Sequence, residues 1–198
     1  VKGKVNNLKL KNFLLNYGND TYLDADIAMN GLPKIQDTYI KLKIRNLITS
    51  VNDLNKIIIP LQGQQVTTLK LPLMLQRLGN TRLKGDFSCF YSNFVSKATL
   101  TSDMGTVSTD IIVKNDKNVI SYNGKVATEN FNMGEFLDTK GLLGKVSLDA
   151  QIMGSGLDTK TADFVINGHI KLLEFKGYMY SGITIDGGFN QKIFNGVI

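Results

Sequence analysis

The sequence has no tryptophan, one cysteine, one histidine and three prolines among 198 residues. A single cysteine excludes a disulfide framework and any cysteine-based zinc site. One histidine without thiolate partners cannot complete a typical zinc shell either. No run approaches the roughly 18 apolar residues of a membrane helix, and no secretory apolar segment is recognisable. Charged residues are only 20% against 42% hydrophobic, which excludes a self-repelling disordered tail. The composition also excludes collagen and coiled coil.

What is present is alternation of apolar and polar residues, the mark of strands with one covered and one wet face. Leu23, Ala25, Ile27 and Met29 alternate with Asp24, Asp26, Ala28 and Asn30, and Ile40, Leu42 and Ile44 with Lys41, Lys43 and Arg45. The period continues through Val107, Thr109, Ile111 and Val113, then Ile120, Tyr122, Gly124 and Val126, then Val146, Leu148, Ala150 and Ile152. Phe164, Ile166, Ile170, Ile183, Ile185 and Phe189 extend it, and Phe87 and Cys89 fall in phase with Leu83. Gly- and Asn-rich turns separate the runs, so the expected fold is mainly β, a meander of antiparallel strands. Three short helices are expected, near 51–58 after a Ser50 cap, near 72–78 before Gly79, and near 132–137. None is long enough to cover the sheet.

The chain also repeats itself. Leu23-Asp24-Ala25-Asp26-Ile27 through Gly31-Leu32 lines up with Leu148-Asp149-Ala150-Gln151-Ile152 through Gly156-Leu157. With one residue of slippage, Ile40, Leu42 and Ile44 then align with Ile166, Gly168 and Ile170. Both ends read as strand, so the expectation is one continuous β segment over 1–198, cut from a longer chain, with approximate units 1–78, 79–140 and 141–198.

Catalytic chemistry is hard to find. His169 falls on the strand face opposite Phe164 and Ile166, and no Gly-x-Ser-x-Gly elbow accompanies it. Asp24, Asp26, Asp149 and Asp186 occupy positions expected to face water. Gly154-Ser155-Gly156 lacks the rest of a dinucleotide fingerprint, and Asp138-Thr139-Lys140-Gly141 reads as a turn. No enzyme activity, cofactor or metal is expected. The net charge of +6 comes from lysines such as Lys2, Lys4, Lys9, Lys11, Lys41, Lys43 and Lys171, out of phase with the apolar set. That pattern solvates an outer face and discourages edge pairing. It lacks the basic cluster with exposed aromatics that nucleic acid needs.

Phe131-Asn132-Met133-Gly134-Glu135-Phe136-Leu137 resembles the F-N-L-G-x-L-L turn of AsmA-like proteins. Gly177-Tyr178-Met179-Tyr180-Ser181-Gly182-Ile183-Thr184-Ile185-Asp186-Gly187 is similar to a run of their TamB branch, and Val1 to Tyr17 also resembles that branch in its Bacteroidetes form. The resemblance implies a long, curled, antiparallel β-sheet forming an open U-shaped hydrophobic groove. It further implies a periplasm-spanning protein anchored in the inner membrane of a diderm envelope. Its groove would conduct phospholipid acyl chains toward the outer membrane and support outer-membrane biogenesis. A C-terminal region outside this segment would engage an outer-membrane barrel of the Omp85 class, and the segment itself is expected to be monomeric. The expected lining is Leu23, Ala25, Ile27, Met29, Ile40, Leu42, Ile44, Phe87, Val107, Ile111, Val113, Val126, Val146, Leu148, Ile152, Phe164, Ile166, Ile170, Ile183, Ile185 and Phe189. Two alternatives stand beside it. One is a structural or adhesive β-sandwich, which needs two sheets of similar size. The other is a factor for outer-membrane protein assembly that works through exposed edges.

Overall fold

The computed structural model of the chain describes residues 6–32, 37–59, 67–68, 71, 73–90, 92–116, 119–139, 141–156, 161–190 and 193–197. Its strands are β1 (Asn7–Tyr17), β2 (Thr21–Asn30), β3 (Tyr39–Ser50), β4 (Ile58–Ile59), β5 (Thr67–Thr68), β6 (Asn80–Phe90) and β7 (Asn93–Ser102). They continue as β8 (Gly105–Asp116), β9 (Val119–Asn132), β10 (Leu143–Ser155), β11 (Asp163–Phe175), β12 (Tyr178–Asn190) and β13 (Ile193–Val197). The helices are α1 (Val51–Leu54), α2 (Leu73–Gln76) and α3 (Met133–Leu137).

Strand makes up 76% of the described residues. Eleven strands form one sheet in the order β1-β2-β3-β6-β7-β8-β9-β10-β11-β12-β13, and β4 and β5 pair separately. Every pairing is antiparallel, as short hairpin connections require. The sheet does not close into a barrel, and there is no second sheet of similar size to make a sandwich among the described residues.

The three helices lie within the spans expected, but shorter. The Ser50 side chain accepts from the Asp53 N–H to start α1, and the helix stops at Asn55 rather than reaching Ile58. There the chain turns into β4. The Asn132 side chain accepts from the Glu135 N–H to start α3, and Asp138 ends it in the left-handed region, φ 61°. Pro60, which follows the first expected helix in the sequence, and Pro72, at the start of the second, lie outside the described residues, as do Lys2 and Lys4.

The sheet is curled toward one face, and glycines mark the bends. A Cβ on Gly85 would sit 2.5 Å from the Ala98 Cβ, and one on Gly168 2.6 Å from the Ala150 Cα. Facing Cβ atoms in an ordinary ladder are about 4.5–5.5 Å apart. Gly188, on the opposite face, would meet nothing nearer than the Phe164 carbonyl oxygen at 3.8 Å. Backbones are therefore drawn together on one side only, which is how glycine bends a sheet. Bulges add to the curvature at Asn12 and Asn130, both with positive φ, where the β1–β2 and β9–β10 registers shift.

Little of the molecule is packed like a globular interior. The buried hydrophobic cluster is Leu78, Met104 and Phe131, with Leu100, Val107, Met133 and Phe136 against it.

Candidate functional site

Register converts the alternating sequence into rows that run across the sheet, because directly paired residues share a face. The first apolar row is Leu8, Met29, Ile40, Cys89, Phe94, Val113, Tyr122, Gly154, Phe164, Phe189 and Phe194. The second is Leu10, Ile27, Leu42, Phe87, Ser96, Ile111, Gly124, Ile152, Ile166, Gly187 and Gly196. Phe13, Ala25, Ile44, Gly85, Ala98, Thr109, Val126, Ala150, Gly168 and Ile185 make the third. The fourth is Leu15, Leu23, Leu47, Leu83, Leu100, Val107, Thr128, Leu148, Ile170 and Ile183, and Val146 pairs with Phe131 beyond it. Every lining residue expected from the sequence therefore lies on this one face. Lys41, Lys43, Asp149 and His169 lie exposed on the other.

The face is a trough. At about 4.8 Å per strand spacing, eleven strands make it ~48 Å long, and four rows two residues apart, at ~3.4 Å per residue, span ~20 Å along the strands. Most of its lining is half-buried, with Ala25, Ile44, Val146 and Ile170 buried. A recess of 250 Å³ between β3, β6 and β7 is lined by Ile40, Leu42, Ile44, Leu83, Phe87, Cys89 and Phe94. Phe164 stacks on Phe189 with centroids 5.1 Å apart, and Phe87 on Phe94 at 5.9 Å. Cys89, in phase with Leu83 and Phe87, is only partly covered.

Sequence reasoning missed several members of the face. β1 contributes Leu8, Leu10, Phe13 and Leu15, although the bulge at Asn12 breaks its period. Hydroxyls also reach it: Ser96 and Thr109 bond to each other at 3.2 Å, and Thr128 donates to the Val146 carbonyl at 2.9 Å. These pairs satisfy the hydroxyls internally and so remove the cost of polar atoms on an apolar floor. The repeat is visible in space. Leu23 and Leu148 share the fourth row, Ala25 and Ala150 the third, Ile27 and Ile152 the second. The companion alignment is one row off, since Ile40 stands in the first row and Ile166 in the second.

No protein-family model, curated protein or solved structure matches the chain.

The opposite face explains the charge. Asp26, Lys43, Asp86, Lys97, Asp110 and Lys125 form one row with alternating sign across six adjacent strands of the sheet. Lys97 and Asp110 approach to 3.6 Å. Arg45, at a β3 bulge, reaches both Asp24 (Nε–Oδ1 2.9 Å) and Asp26 (Nη1–Oδ2 2.8 Å). That guanidinium, helped by the Asn12 N–H, holds the Asp26 carboxyl below its ordinary range, and the two carboxylates raise Arg45 in turn. A recess of 510 Å³ lies on this polar face among Lys84, Asp86, Lys97, Asp110, Lys125 and Asp149. Asp86, Lys97, Asp110 and Lys125 are neighbours in the alternating row on an exposed surface, so the recess offers no enclosed cleft for paired carboxylates. Among the described residues no group of His, Cys, Asp and Glu could hold a metal.

At the helix-bearing rim, Asp53 is the most deeply buried carboxylate. It accepts from the Asp20 N–H at 2.8 Å, the Thr21 hydroxyl at 3.1 Å and the Asn19 N–H at 3.4 Å, with Lys56 Nζ 3.6 Å away. The Asp20 N–H does most to hold this carboxyl below its usual range. Asp53 thereby ties α1 to the β1–β2 turn.

Proposed function

We propose that this chain is a segment of a lipid-conducting β-groove protein of the TamB/AsmA-like kind. Phospholipid acyl chains lie in the trough and slide along it between the inner and outer membranes of a diderm envelope. The observation that supports this reading most is the apolar face itself. It runs across eleven strands, half-open to water, with no second sheet of similar size among the described residues. A soluble protein seldom leaves such a strip uncovered without a ligand. The lining suits acyl chains because the hydroxyls of Ser96, Thr109 and Thr128 are already bonded within the sheet and do not converge on a headgroup. The trough is also longer than a lipid tail, since half the hydrocarbon core of a bilayer is about 15 Å.

The periplasmic setting, the inner-membrane anchor and a barrel partner reached through another region belong to this proposal and rest on the motif resemblance. The test is to incubate the chain with phosphatidylethanolamine–phosphatidylglycerol vesicles, re-isolate it and measure bound lipid by native mass spectrometry. Phospholipid bound in proportion to chain supports the reading. A chain that recovers no lipid, or that captures unfolded outer-membrane β-strands instead, overturns it.

A further inference from the structure

The trough is not uniform along its length. At β7–β9 the fourth row abuts a packed cluster, in which Leu78 after α2, Met104 and Phe131 are buried and half-buried Leu100, Val107, Met133 and Phe136 pack against them. The Phe131 and Phe136 rings meet edge to face with centroids 5.3 Å apart. Leu100 and Val107 of the fourth row are themselves half-buried, as is most of the lining on either side. The apolar recess ends against it, since Leu83 of the recess pairs with Leu100 of the cluster.

One side chain fastens the two helices. Arg77 Nη1 donates to the Phe136 carbonyl at 3.0 Å and to the Glu135 carbonyl at 3.4 Å, and Nη2 lies 3.0 Å from Asp138 Oδ2. Asp138 closes α3 in the left-handed conformation, which aims these carbonyls and the carboxylate at one point. Such charge-assisted bonds are stronger than neutral ones. Neither helix has length enough to hold its position alone: α2 has 4 residues and α3 has 5.

We propose that α2 and α3 form a constriction in the trough at β7–β9, and that Arg77 sets how freely an acyl chain passes it. This rests on the lipid-conducting reading above. With the clasp closed, chains keep to the first and second rows, over Phe94, Ser96, Ile111, Val113, Tyr122 and Gly124. With it released, the fourth row opens and the passage widens.

The experiment measures transfer of a fluorescent phosphatidylethanolamine from donor to acceptor phosphatidylcholine vesicles by the whole chain. Arg77→Ala should transfer lipid severalfold faster than the parent. The opposite arm uses Arg77→Cys with Asp138→Cys in a Cys89→Ser background, bridged by a short bis-maleimide. Bridging should slow transfer below that of the same variant left unbridged, and it keeps the test valid if Arg77→Ala fails to fold. Equal rates for bridged and unbridged protein, while the parent binds and transfers lipid, overturn the constriction alone. A parent that neither binds nor transfers lipid overturns both the constriction and the lipid reading.

Discussion

Replacing Ile152 by Asp separates an open trough from a covered core by magnitude. Ile152 pairs with Ile166 across β10 and β11, and both are half-buried. Full burial of an isoleucine stabilises by about 1.5–3 kcal/mol, so half of that is roughly 1 kcal/mol. Loss of the cross-strand pair adds about 0.2–1 kcal/mol. The carboxylate itself keeps access to water in an open trough, so the total is about 2 kcal/mol. In a sealed core the same carboxylate would be stranded without a partner, and the cost would exceed about 4 kcal/mol. For a chain of this length each kcal/mol moves the unfolding temperature by about 2–4 °C. Thermal unfolding followed by circular dichroism should therefore show a drop of ~4–8 °C with the sheet intact. Lipid transfer should fall sharply, because a charge in the path raises a local barrier of a few kcal/mol. A variant that no longer folds would refute the open trough, and a folded variant with unchanged transfer would refute the path through the second row.

Three further outcomes follow from the same geometry. Gly168→Val forces a side chain against the Asp149 carbonyl and Ala150 and should cost about 1–3 kcal/mol, whereas Gly188→Ala, with nothing within 3.8 Å of its new Cβ, should be neutral in the same unfolding assay. Asp53 has a depressed pKa, so the stability it lends is fully present above the ordinary carboxylate value of about 4 and is lost as pH falls through the lower folded value. The acid limb of a stability-versus-pH curve should flatten in Asp53→Asn. Lys97→Asp sets a carboxylate between Asp86 and Asp110 and should destabilise by roughly 1 kcal/mol at low ionic strength. Part of that loss should return at 1 M salt, where the Debye length is about 3 Å.

Local signals carried the strand phase. Lys41 and Lys43 against Ile40, Leu42 and Ile44 state which face is wet, and a period of two leaves no other assignment. Cap chemistry at Ser50 likewise placed α1. What depends on pairing between distant segments was not legible. The row Asp26–Lys43–Asp86–Lys97–Asp110–Lys125 draws one residue from each of six strands, and only the register brings them together. The one-row error in the repeat alignment has the same origin, because the period of two preserves the face but not the level. Asp53 read as the third residue of a helix cap, and its burial comes from a turn more than thirty residues earlier in the chain. Arg77 gave no signal at all, since its three acceptors lie on α3.

Cys89 is the single cysteine and lines the apolar recess, so it accepts a probe without any substitution. The most direct measurement couples a benzophenone maleimide to Cys89, adds phospholipid vesicles, irradiates, and reads lipid adducts by mass spectrometry. The control carries the same probe at Lys43→Cys in a Cys89→Ser background, on the opposite face of the same sheet. The account predicts phospholipid adducts through the acyl chain at position 89 and none at position 43. Adducts at neither position, or equally at both, would contradict an acyl-chain path along the apolar face.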